Sequence, residues 1–77
     1  MGFVINLISK NGITNINNYG YWTGKQYMVN GEYYPICRKY INNETKIYKH
    51  KKVAERSAQS CLEKFGYVTN VEVEEIL

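Results

Sequence analysis

The sequence predicts a small α+β domain, in which one helix packs on a mostly antiparallel sheet of about five to six short strands. Short apolar runs separated by Asn-Gly and other Asn-rich turns are typical of β-hairpins. Residues 50–65 instead carry apolar side chains at helical spacing. A chain of 77 residues has room for a single domain, residues 1–77, with a strands-helix-strand order.

The strand predictions follow from apolar alternation and from turn signals. Asn11-Gly12 and Asn30-Gly31 each predict a hairpin, and Asn42–Thr45 predicts a further turn. Residues 17–25, which hold two glycines among aromatic side chains, are predicted as a loop. Pro35 cannot donate a ladder hydrogen bond, so its strand is expected at a sheet edge or with a bulge. The predicted strands are residues 3–8, 13–16, 27–29, 33–41, 46–48 and 67–76.

One apolar stripe defines the helix predicted from His50 to Phe65. Gly66 is expected to end it by adopting the left-handed conformation. Cys61 belongs to the stripe, so we expect Cys37 and Cys61 to be reduced, core-packed thiols, with one intramolecular disulfide as the alternative. The stripe consists of Ala54, Ala58, Cys61, Leu62 and Phe65.

The composition excludes several classes of function. The chain has no Asp, a single histidine (His50) and two cysteines outside any C-x-x-C motif, so we expect neither a metal site nor a cofactor. The same scarcity of catalytic groups predicts that the protein is not an enzyme. No apolar run approaches the roughly 20 residues of a membrane span, and a signal-peptide pattern is missing. We therefore expect a cytoplasmic protein without a membrane partner.

A basic cluster is predicted at the start of the helix. Lys49, Lys51, Lys52 and Arg56 lie where the helix dipole already places positive charge, in a chain of net charge +3. Free helix amides together with lysines form a candidate site for phosphate or nucleic acid. The alternative is that these side chains simply extend into water.

Aromatic residues form the second candidate site. Seven of the eight tyrosines and Trp22 fall between residues 19 and 48, which is more than one sheet face can bury. We expect Trp22 in the core, with Tyr21 and Tyr27 as further core candidates. Tyr33, Tyr34 and Tyr40 are the predicted partner-binding residues, because tyrosines are enriched at protein interfaces and also stack on unpaired bases.

Four short motifs are spread over most of the chain: Tyr21-Trp22-Thr23-Gly24-Lys25, Gly31-Glu32-x-x-Pro35, Tyr48-Lys49-x-x-Lys52-x-Ala54-Glu55 and Val71-Glu72-Val73-Glu74-Glu75. In these motifs the chain resembles small phage and prophage proteins of low-GC Gram-positive bacteria. The abundance of Asn, Ile, Lys and Tyr, which have A/T-rich codons, fits such a source. The setting of these proteins includes anti-CRISPR and other anti-defence inhibitors, and the resemblance implies stoichiometric inhibition of a host protein or nucleoprotein.

Residues 26–65 are also similar in layout to the AP2-like DNA-binding domain of phage-type integrases. In that family a three-stranded sheet precedes a helix opening with Lys-Lys-x-Ala-Glu, here Lys51–Glu55. The resemblance implies DNA binding through the sheet. This chain has more Tyr and less Arg in that sheet, and it adds an N-terminal hairpin and a C-terminal strand.

Three hypotheses follow. The first is a non-enzymatic binding protein that blocks a host protein or nucleoprotein through Tyr33, Tyr34 and Tyr40. The second is a nucleic-acid-binding domain that uses the basic cluster and tyrosine stacking. The third is a homodimer formed through the exposed edge strand near Pro35.

Overall fold

A computed structural model describes residues 2–11, 15–66 and 68–76, with the side chains of residues 9–11 and 15–19 outside the description. The first Asn-Gly turn and the side chains of Tyr19 and Tyr67 therefore lie outside the described residues. The elements are β1 (Gly2–Asn11), β2 (Asn15–Val29), β3 (Glu32–Arg38), α1 (Lys51–Lys64) and β4 (Asn70–Ile76).

The four strands form one antiparallel sheet in the order β3-β2-β1-β4, and α1 packs on β1 and β4. The predicted α+β class is confirmed, but five to six strands is slightly too many. Pro35 lies in β3, which is an edge strand as its missing N–H predicts.

The predicted loop at residues 17–25 is wrong, because these residues belong to the long strand β2. Its first part pairs with β1 and its second part pairs with β3, so that Tyr21 has a partner on each side. The register shifts near Gly20 and again between Trp22 and Lys25, where Gly24 lies. Both glycines have positive φ, so β-bulges absorb the residues that resembled a loop in the sequence.

Residues 46–48 do not form the predicted strand. Tyr48 exchanges two backbone hydrogen bonds with Phe3, both 2.8 Å, as an isolated bridge. The N–H of Lys46 donates to the Trp22 carbonyl at 2.9 Å, so this segment lies between β1 and β2 where the two strands diverge. The preceding turn is confirmed, since the Glu44 N–H donates to Asn42 Oδ1 at 2.8 Å.

The helix agrees with its prediction to within one residue at each end. Its C-terminus differs, because Gly66 does not have positive φ. Phe65, the C-cap residue, is extended, and its N–H donates to the Cys61 carbonyl. The helix therefore ends without the left-handed glycine because the Phe65 ring turns into the core, where the side chain is 1% exposed.

The core lies between the sheet and the predicted helical stripe. The Trp22 and Phe65 rings pack at 5.6 Å between centroids with a 58° tilt, which confirms Trp22 as a core residue. The buried cluster is Ile5, Leu7, Trp22, Ala58, Cys61, Phe65 and Val68. Within the described part of the chain, no helix has the length and apolar character needed to cross a bilayer.

Candidate interaction surface

The β2–β3 hairpin extends beyond the rest of the sheet. Strand β1 pairs with β2 only as far as Tyr21, so residues 25–36 have each other as ladder partners and no third strand among the described residues. Asn30 and Gly31 both have positive φ, 51° and 83°, as a two-residue type I′ turn requires. This second predicted Asn-Gly hairpin is confirmed.

Large apolar side chains are exposed on this hairpin. Tyr27 is 50% exposed, Met28 60% and Tyr33 41%, and Val29 is also exposed. We call these four residues the hairpin patch. The cross-strand partners Met28 and Tyr33 lie on the face toward α1, and Tyr27 and Val29 lie on the opposite face. Tyr27 is not a core residue, contrary to one of the alternatives above, because no third strand covers it. Tyr27, Met28 and Val29 were missed as site residues, although their position beside an Asn-Gly turn was a usable signal.

The two adjacent tyrosines of β3 point to opposite faces of the hairpin, as strand geometry predicts. The Tyr33 ring has the Lys64 ammonium group 4.8 Å from its centroid, so this ring lies on the side of α1. The Tyr34 ring stacks on Tyr27 at 5.5 Å, and its hydroxyl donates to Glu32. Tyr34 is half-buried and supports Tyr27.

Tyr40 is 70% exposed but is not part of the same patch. It follows Arg38 at the far end of β3, and the five residue-to-residue steps from Tyr33 to Arg38 span roughly 17 Å along an extended strand. Its ring lies 5.6 Å from the Lys39 ammonium group. The structure thus brings Tyr33 and Tyr34 into one hairpin and separates Tyr40 from them.

The basic cluster is exposed around the first turns of α1. Lys49, Lys51, Lys52 and Arg56 are all on the surface. Lys52 and Arg56 are one turn apart on the outward face, whereas Lys51 points about 100° away from Lys52. The described helix has no acidic side chain in its first turn, and its N-cap residue His50 makes no side-chain cap bond. Its first amides therefore remain available for an anion.

The sheet face opposite α1 carries acidic groups. The Tyr21 hydroxyl donates to Glu74 at 3.1 Å, and burial, followed by this hydrogen bond, raises the pKa of Tyr21. Arg38 forms a bidentate ion pair with Glu44, in which Nε and Nη2 donate to the two carboxylate oxygens at 3.1 and 3.0 Å. The guanidinium lowers the pKa of the Glu44 carboxyl. Glu72 is also exposed on this face. The Glu72 and Glu74 carboxylates make this part of the face negative, whereas the Arg38–Glu44 pair is neutral.

Both cysteines are free thiols, and Cys61 is buried in the core as its place on the stripe predicts. Burial raises the pKa of Cys37 to about 12 and that of Cys61 to about 11. A reactive cysteine needs the opposite shift, so neither thiol has the character of a nucleophile at neutral pH. Among the described residues, no three His, Cys, Asp or Glu side chains are grouped as a metal site would require.

The thiols give a test of this packing. At pH 8 we expect alkylation by iodoacetamide to be at least tenfold slower in the folded protein than in denaturant, because the raised pKa values reduce the thiolate fraction. Below the unfolded thiol pKa, near 9.0, both shifts favour the folded state, and this contribution is lost as pH rises through about 11 to 12. Equal rates in the folded and denatured states would contradict the buried assignment.

No protein-family model, curated protein or solved structure matches the chain.

Proposed function

We propose that the protein is a non-enzymatic binding protein of the phage or mobile-element type, which blocks a host protein or nucleoprotein through the hairpin patch. The observation that supports this proposal is the exposure of Tyr27, Met28, Val29 and Tyr33 on a hairpin outside the core. Aromatic and Met side chains are enriched at protein interfaces, and the cross-strand pair Met28–Tyr33 places two such side chains next to each other on one face.

The geometry of the hairpin fits a preorganised contact surface. The Tyr27–Tyr34 stack and the I′ turn hold the strands in register, so ordering side chains on binding costs little. Lys64 lies beside Tyr33 on one face and Glu32 accepts the Tyr34 hydroxyl on the other, so a charged group borders the apolar side chains on each face. This combination of apolar centre and polar rim is usual for binding sites. Tyr40, at the other end of β3, extends the surface only if the partner is large.

The second candidate function is nucleic-acid binding by the basic cluster. The uncapped amides of α1 and the exposed Lys52 and Arg56 favour it. Phosphate contacts would make the affinity fall steeply with salt. It comes second because the modest net charge of +3 and the acidic sheet face limit the attraction of a polyanion.

Affinity capture from lysate of a low-GC Gram-positive bacterium tests both functions. We expect the wild-type chain to retain one defined protein, and the double variant Met28→Ala/Tyr33→Ala to bind it at least about 30-fold more weakly, since two interface anchors are removed. The purified partner should bind in a fixed ratio when measured by isothermal titration calorimetry.

The matched control is Lys52→Gln/Arg56→Gln, which also changes two exposed residues but leaves the hairpin intact. Under the first proposal this control binds the partner nearly as well as the wild type. Recovery of nucleic acid alone, lost in the control variant and at raised salt, would reject the first proposal in favour of the second.

A further inference from the structure

A pocket separate from the outer faces of the hairpin opens between β2, the 46–48 segment and α1. Its volume is about 410 Å³, within the range of small-molecule sites. The bulge at Thr23–Gly24 creates the opening, since Gly24 has positive φ and the Thr23 hydroxyl donates to the Ile36 carbonyl at 2.6 Å. Its lining includes the half-buried Tyr48 and the buried Trp22 and Phe65, whose side chains are 7% and 1% exposed.

The charged residues that line this pocket are all cationic. Lys25, Lys46 and Lys64 contribute to its walls, and no carboxylate of the described chain does. Lys25 also borders a second cavity with Glu44, and its charge contributes to lowering the pKa of that carboxyl. Lys46 and Lys64 form no ion pair with any described residue. The uncompensated positive charge therefore comes mainly from Lys46 and Lys64.

Aromatic rings hold both of these lysines in place. The Lys46 ammonium group is 5.7 Å from the Tyr48 ring centroid, and its stem crosses Gly24, where an added Cβ would lie 3.5 Å from Lys46 Cδ. The Lys64 ammonium group is held 4.8 Å from the Tyr33 ring centroid. Because ring contacts already restrict both side chains, less conformational entropy is lost when an anion binds to either of them.

The helix wall supplies neutral hydrogen-bonding groups. Ser57 and Ser60 line the pocket one turn apart on α1, and their hydroxyls make no hydrogen bond to other described residues. Each hydroxyl has a donor to offer to an oxyanion. The pocket thus combines aromatic side chains, hydroxyls on one wall and lysine side chains, of which Lys46 is held by a ring that lines the pocket.

From this arrangement we infer that the pocket binds a small organic anion, whose phosphate or carboxylate lies near Lys46 and Lys64 and whose apolar part contacts the aromatic lining that includes Trp22 and Tyr48. This site shares Lys64 with the surroundings of the hairpin patch, but its binding of an anion does not require that the hairpin binds a protein.

Phenyl phosphate is a suitable probe because it carries both features. We expect saturable binding, followed by the fluorescence of the single tryptophan, Trp22, and by amide shifts at Gly24, Ser57 and Ser60 in NMR spectra. Lys46→Gln and Lys64→Gln should each weaken this binding about tenfold, since each removes a charge-assisted interaction. Lys52→Gln, a matched change on the outward face of α1, should alter it less than twofold.

Two comparison ligands separate the contribution of the anionic group from that of the aromatic ring of the ligand. Inorganic phosphate and benzyl alcohol should each bind at least about tenfold more weakly than phenyl phosphate, because each lacks one of the two features. Absence of saturable binding at millimolar phenyl phosphate would overturn the inference. So would equal affinity for inorganic phosphate, an equal loss in Lys52→Gln, or binding of an acidic peptide in its place.

Discussion

Replacing Phe65 by Ala is expected to lower the free energy of unfolding by about 3–5 kcal/mol. The ring is 1% exposed, packs on Trp22 and belongs to the central buried cluster. It also ends α1, so its removal leaves a cavity where the helix meets the sheet. A domain of this length has roughly 4–12 kcal/mol of stability in total, so the variant loses at least about a quarter of it and unfolds where the total is near the lower end.

Urea denaturation followed by the fluorescence of Trp22 measures this loss, since the chain has a single tryptophan. Tyr40→Ala is the matched control, because it also removes an aromatic ring but from a side chain that is 70% exposed. Its effect should stay within about 0.5 kcal/mol. A loss below about 1 kcal/mol for Phe65→Ala would contradict the assigned core.

Gly20→Ala is expected to destabilise the protein by about 2–5 kcal/mol, although it adds only one methyl group. Gly20 has φ of 100°, and an added Cβ would lie 2.4 Å from the Arg38 carbonyl oxygen. The obstacle is backbone of the adjoining strand β3, which cannot move aside as a flexible side chain would. The strain of positive φ and the steric clash therefore add together.

Gly31→Ala separates these two causes. Gly31 also has positive φ, 83°, but an added Cβ would meet no described atom within 4 Å. We expect this control to cost only about 1 kcal/mol, the conformational part alone. Thermal unfolding of the two variants compares them directly, and similar losses for both would contradict the close approach of β2 to Arg38.

The helix and the second hairpin were predicted from sequence because their signals are local. The stripe of apolar residues on α1 repeats at the helical period, so Ala54, Ala58, Cys61 and Phe65 are buried as expected. Asn30-Gly31 supplies the two positive φ values that a tight hairpin needs. Both patterns depend on residues a few positions apart.

The path of β2 was not predictable in the same way. Gly20, Gly24 and the polar residues between β1 and Trp22 are typical of a loop, yet two partners hold them in a strand. Pairing with distant residues supplies hydrogen bonds that outweigh a weak local strand preference. The same effect explains why 46–48, which alternates like a strand, forms only a bridge to Phe3.

The candidate sites show the same difference between local sequence signals and pairing between distant segments. Tyr33 was selected from sequence because adjacent tyrosines cannot share one face, and it is exposed. Tyr27 and Met28 were not selected, because their exposure depends on where β1 stops pairing. The pocket of Lys46 and Lys64 combines residues that are far apart in the chain and was not foreseen from the sequence.

By itself, the sequence determined the α+β class, the helix, the edge position of Pro35, and the burial of Trp22 and Cys61, because periodicity, turn chemistry and hydrophobicity act locally. Only the tertiary structure decided the four-strand order, the long β2, the separation of Tyr40 from Tyr33, and the cationic pocket. These features depend on which distant segments pair, and the free energy of that pairing comes from burial and from long-range hydrogen bonds.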